Sequence, residues 1–116
     1  MQIRTHQYAE AAFPLVKAIQ KATFEAKYRT LALNFPTMIM QSGLTQAIGF
    51  LMAKKEDEHK TLLKHIEDIL NRPTLHTDIL KSNIEEYQLL TRKALEASSW
   101  IKRYTQALLK KEGENQ

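Results

Sequence analysis

An all-α fold, a single-domain compact helical bundle of about five to six helices, is predicted by three observations. Apolar residues recur at spacings of three and four, and strand-type alternation is absent. Only three Gly and three Pro interrupt 116 residues. Nineteen consecutive residues, Phe35 to Ala53, carry no charge in a chain with 26% charged residues. Such a run marks an element packed on most sides. It approaches the roughly 20 residues of a membrane span. However, Pro36, Thr37, Gln41, Ser42, Gly43, Thr45, Gln46 and Gly49 make it too polar for lipid on all faces. A central buried helix is the better reading. At this length one domain, residues 1–116, buries most of its apolar surface without disulfides or metals.

The elements follow in order. Thr5 is the candidate N-cap of a first helix, with Tyr8, Ala12, Leu15, Ile19, Ala22 and Ala26 as its apolar positions, running to about Leu33. Pro14 inside that pattern predicts a kink or a late start. Asn34 and Pro36 end this helix, and Pro36 suits the first turn of the next. That second helix is the uncharged one. Gly43, Ala47 and Gly49 let a neighbouring backbone approach, so Gly43→Leu should overpack the site and Gly43→Ala should be milder. Alternatively, Ser42-Gly43 is a break. Glu56, Asp57 and Glu58 suit the first turn of a further helix, whose apolar stripe is Leu62, Ile66 and Ile69, and Arg72-Pro73 stops it. Residues 71–76 form a loop, and Thr77 is the expected N-cap of the next helical stretch. From Asp78 to about Lys111 the pattern is helical, as one helix or two. There Tyr87, Leu90, Ala94, Ala97, Ile101, Tyr104 and Leu108 make an apolar seam. Trp100 flanks the seam, either bounding the core or stacking on a base. Residues 112–116 are expected to fray.

The net charge of +4 is unevenly spread. Residues 1–55 hold seven Lys/Arg against two Asp/Glu, residues 56–86 four against eight, and residues 87–116 six against three. Two basic blocks flank an acidic middle, and basic surfaces attract polyanions, nucleic acid above all. Arg92, Arg103 and Lys110 fall on the outer face of the last helix, where Glu96 partly neutralises the row. Zero cysteines exclude disulfides and thiolate metal sites. The N-terminus lacks an apolar signal core, which predicts a cytoplasmic chain.

Catalytic patterns are scarce. Glu56-x-x-His59 has the spacing of half a di-iron site, but no second copy exists. Glu85 and Glu86 are adjacent and splay apart on a helix, a poor acid/base pair. There is no Gly-rich phosphate loop. The expectation is a protein without enzymatic activity, cofactor, metal or small-molecule substrate.

Lys27-Tyr28-Arg29-Thr30-Leu31-Ala32, Phe35-Pro36, Ser42-Gly43-Leu44, Ala47-Ile48-Gly49-Phe50-Leu51 with Lys54, and Trp100-Ile101-Lys102-Arg103-Tyr104 with Ala107-Leu108-Leu109 together resemble one family. It is the small all-helical subunit of type III-B CRISPR effector complexes, the Cmr complex. The resemblance runs from about Tyr8 to Leu109. Phe35 stands where the family more usually has Leu before the proline, and Pro14 lies outside the family pattern. The resemblance implies a noncatalytic subunit. Copies of it stack head to tail beside the guide–target RNA duplex, meet the other subunits of the complex, and touch RNA without reading sequence.

The candidate RNA-binding residues are Lys17, Lys21, Lys27, Arg29, Lys54, Lys102 and Arg103, with Arg92 and Lys110 next. Lys27, Arg29, Lys54, Lys102 and Arg103 sit within the family-like motifs, while Lys17 and Lys21 are read as one helical turn apart. The acidic middle either meets a basic block of the next copy or pairs within the chain. Two rival readings are a helical adaptor that binds only protein and a metal- or cofactor-binding four-helix bundle.

Overall fold

The computed structural model describes residues 3–111 as six helices, with no strand among them. They are α1 (Arg4–Lys17), α2 (Glu25–Ser42), α3 (Leu44–Ala53), α4 (Asp57–Leu70), α5 (Leu75–Lys81) and α6 (Ile84–Leu108). The longest, α6, is the spine and lies against α1, α2 and α4, while α3 packs on α2, α4 and α5. Tyr28, Phe35 and Ile39 of α2, Leu44, Ile48 and Leu51 of α3, Leu62 and Ile66 of α4, Leu75 of α5 and Ile101 of α6 are fully buried and form the centre of the core. None of the helices is long and apolar enough to cross a membrane.

Several boundaries differ from the sequence reading, each for a physical reason. The first helix does not run to Leu33. It stops at Lys17, and i→i−3 hydrogen bonds such as Ile19 N–H to Val16 C=O and Ala22 N–H to Ile19 C=O turn the chain. Lys21 then adopts a left-handed conformation (φ 68°), and its N–H donates to Glu25 Oε1 at 3.1 Å. Lys17 and Lys21 are therefore not one turn apart on a helix. Pro14 lies within α1, which starts early, at Arg4. Thr5 is not a cap: Ile3 holds that place, and the Thr5 hydroxyl accepts a 2.8 Å hydrogen bond from Trp100 Nε1. This bond fixes Trp100, half-buried against the core, between α1 and α6.

Pro36 is buried inside α2 rather than opening a helix. The uncharged run is thus not one helix but the second half of α2 followed by α3. Gly43 separates them at φ 87°, ψ 157°, and serves both ends. Its N–H donates to Ile39 C=O (2.9 Å), and its C=O accepts from Ala47 N–H (3.0 Å). The break read at Ser42-Gly43 is the observed one. A Cβ on Gly43 would meet nothing nearer than Tyr87 Oη at 3.5 Å, and one on Gly49 nothing within 4 Å. Neither glycine therefore serves a close helix crossing.

Glu56 precedes α4 as its cap residue, and Asp57 and Glu58 fill its first turn, as read from the acidic triplet. Asn71, left-handed at φ 56°, closes α4. Thr77 is inside α5 rather than ahead of it. The helical stretch after Asp78 is two helices. The second begins with a capping box in which Asn83 Oδ1 accepts from Glu86 N–H (2.8 Å) and Glu86 Oε1 accepts from Asn83 N–H (2.9 Å). Such reciprocal caps satisfy two amides that the helix start leaves open. The expected seam of α6 is in place, with Leu90, Ala94, Ala97 and Ile101 buried and Tyr87, Tyr104 and Leu108 packed at its margins. The expected fraying of 112–116 lies outside the described residues.

Candidate nucleic-acid interface

The turn between α1 and α2 and the chain leaving α6 meet. Gln20 Nε2 donates to Leu108 C=O at 3.1 Å, and Glu25 accepts from the backbone N–H groups of both Lys21 (Oε1, 3.1 Å) and Lys110 (Oε2, 3.1 Å). One carboxylate thereby holds together two basic residues from opposite ends of the chain. The side chains of Lys21 and Lys110 are exposed there.

Beside this junction, α2 and the start of α4 enclose a groove of about 670 Å³ whose lining includes Lys27, Arg29, Thr30, Asn34, Glu58, His59 and Lys111. Arg29 is half-buried, and its Nε lies out of solvent with no hydrogen-bond partner among the described residues. An orphaned guanidinium N–H is costly, and an anionic oxygen entering the groove would satisfy it. Lys54, the C-cap residue of α3, lines a separate groove. Its Nζ lies 5.9 Å from the Phe50 ring centroid, and that ring stands edge-on to His59 at 5.3 Å.

Of the nine sequence-derived candidates, Lys27 and Arg29 line the groove, Lys21 and Lys110 lie at the junction beside it, and Lys54 lines a second groove. Lys17, in the last turn of α1, sits over Phe13 at 5.9 Å. The α6 residues are separate. Arg103 borders a shallow pocket with Ser99 and Trp100, Arg92 is exposed near the N-terminal half of α6, and Lys102 is half-buried. Glu96 turns away from that row and pairs with Arg4 of α1.

Sequence reasoning missed two sets of residues. Lys55, Lys60 and Lys64 join Lys54 around a second groove of about 470 Å³, although Lys60 and Lys64 are four apart on α4 and could have been found by helical spacing. Lys64 is also paired with Asp68 at 2.9 Å, and Arg72 with Asp78 at 3.2 Å. Part of the acidic middle is therefore matched from within itself. The second is Glu58, which lines the first groove beside His59.

Inside the bundle, Tyr28 Oη and His65 Nδ1 are 2.6 Å apart. Burial pushes the Tyr28 phenol well above its ordinary range and lowers the His65 imidazole to about 4. At neutral pH a phenol therefore donates to a neutral imidazole. The pair joins α2 to α4 inside the bundle.

Six helices around one core, with Lys27, Arg29 and an unpartnered guanidinium nitrogen in a groove beside α4, define a small all-α protein with a basic groove. Its lineage is specific. The sequence model of the family described as CRISPR-associated protein (Cas_Cmr5) matches residues 4–108, and the chain belongs to that family. It is similar to the CRISPR system Cmr subunit Cmr5 of Thermus thermophilus. The two are 30% identical over 112 residues, which span 94% of this chain and 98% of that one. Its fold matches the X-ray crystal structure of a CRISPR-associated Cmr5 family protein from the same organism with a TM-score of 0.90 and 31% identity, over 95% of this chain and all of that one.

Proposed function

We propose that the chain is the noncatalytic small subunit of a type III-B Cmr effector complex, that it works in the cytoplasm, and that its groove face contacts the guide–target RNA duplex without reading sequence. The observation that carries this reading is a groove lined by Lys27 and Arg29, in which a guanidinium N–H awaits an acceptor, beside a junction that brings Lys21 and Lys110 together. Lysines and arginines spaced along such a face suit phosphates, which position a protein on nucleic acid but carry no base identity.

Copies stack head to tail. Support comes from apolar side chains at opposite ends of α6. Leu80 and Ile84 are 64% and 70% exposed beside its N-terminus. Near its C-terminus Phe13 and Tyr104, ring centroids 5.2 Å apart, border a shallow groove. Twenty residues of helix place Ile84 and Tyr104 about 30 Å apart, so one patch can meet the other on the next copy in a heterologous contact that propagates. A purely protein-binding adaptor is the alternative.

The test is the salt dependence of RNA binding by the reconstituted complex. Replacing Lys27 and Arg29 by Glu should leave the subunit incorporated and reduce the log–log salt slope by roughly 0.7–0.9 for each phosphate that is no longer neutralised. An unchanged slope and affinity in a complex that still contains the variant would favour the adaptor.

A further inference from the structure

The start of α4 brings three metal-ligating groups to one point, and we infer that Glu56, Glu58 and His59 bind a divalent transition-metal cation. His59 Nδ1 lies 3.5 Å from Glu56 Oε1 and 3.5 Å from Glu58 Oε2, and the three donor atoms are all within 4.8 Å of one another. A cation bound tetrahedrally to N and O donors at about 2.1 Å separates its ligands by about 3.4 Å. The two histidine–carboxylate distances are therefore those of ligands sharing one ion.

A second observation points the same way. Glu58 is only 8% exposed, yet its sole partner among the described residues is this histidine. His59 Nδ1 is out of solvent and makes no hydrogen bond. The 3.5 Å separations are close approaches, but they do not meet the geometry of an N–H donated to oxygen. A buried carboxylate and a buried ring nitrogen that approach each other without a hydrogen bond leave the carboxylate's charge uncompensated within the protein. A cation compensates it.

The imidazole is held for this role by the edge of Phe50 at 5.3 Å. Histidine with two carboxylates is a borderline donor set that suits Zn²⁺ better than Mg²⁺, which favours oxygen ligands and keeps its waters. Glu58 and His59 line the same groove as Arg29, so the remaining coordination position opens to water or to an oxyanion there. Glu56-x-x-His59 lacks a partner motif elsewhere in the chain, but the third ligand stands between its own two members. This inference does not depend on the RNA reading.

The test is calorimetric titration of the full chain, stripped with chelator, using Zn²⁺ and, separately, Mg²⁺. One Zn²⁺ per chain should bind, raise the melting temperature, and outcompete Mg²⁺. Glu58→Gln and His59→Ala should each weaken Zn²⁺ at least tenfold, while His6→Ala and His76→Ala leave it unchanged. Should Glu58→Gln fail to fold, Glu56→Gln, at an exposed side chain, should produce the same loss. Absence of saturable one-to-one binding, or binding that survives these changes or vanishes with His6 or His76, would overturn the site.

Discussion

Acidification from pH 7 to pH 4 should destabilise the folded chain by about 3 kcal/mol through His65 alone. Burial lowers this imidazole from 6.5 to about 4 in the folded state, and each unit of difference is worth about 1.4 kcal/mol. The direction follows from proton counting. Between about pH 6.5 and 4 the unfolded chain binds a proton at His65 and the folded chain does not, so protons favour unfolding. The contribution of neutral His65 is fully present above about pH 6.5 and is lost progressively as pH falls through 4. Tyr28 sharpens the effect, because its hydroxyl needs the unprotonated Nδ1 as acceptor. Urea unfolding at pH 7, 5.5 and 4.5 measures it. His65→Gln keeps an acceptor but cannot titrate, so it should start less stable and lose markedly less over that range. If the variant loses as much as the wild type, other groups govern the acid response.

Gly43→Ala should cost about 1–3 kcal/mol, nearly as much as Gly43→Leu. At φ 87°, ψ 157° the backbone occupies a region essentially reserved for glycine. The penalty therefore arises with the first carbon of any side chain, and the 3.5 Å clearance to Tyr87 Oη means that bulk adds little. Close helix approach would produce the opposite pattern, a mild Ala and a severe Leu. Denaturant melts of the two variants separate these mechanisms. A wild-type-like Gly43→Ala would show that α2 and α3 do not need this bend.

The same glycine shows where sequence reasoning succeeds and where it stops. The apolar stripe of α4 and the seam of α6 were legible because one helix face decides burial, and a period near 3.6 records it. The uncharged run supplies core residues, Phe35, Ile39, Leu44, Ile48 and Leu51 among them, but it is not packed on most sides, since Met40 and Met52 in it are exposed. It did not reveal its own division, because absence of charge reports burial and says nothing of φ and ψ. Prolines misled for a related reason: Pro36 suits a first helical turn, yet packing of Phe35 and Ile39 around it holds it inside α2. The turn after α1 is held by Glu25 reaching back to the Lys21 N–H, a contact no propensity records. At the candidate interface, residue types were readable and their grouping was not. Lys21 and Lys110 come together through Glu25 and the Gln20–Leu108 hydrogen bond, and Arg92 and Arg103 of α6 do not line the groove. Glu58 was read only as a helix-start charge, because its burial depends on the packing of α4 against α2 and α3.

The central claim, that the groove face meets RNA, is tested most directly by lysine acetylation of the reconstituted complex with and without target RNA, read residue by residue. Lys27, Lys54 and Lys110 should lose reactivity several-fold when RNA is present, while Lys81, exposed on α5, keeps its own. Equal reactivity of Lys27, Lys54 and Lys110 in the two states would contradict the claim.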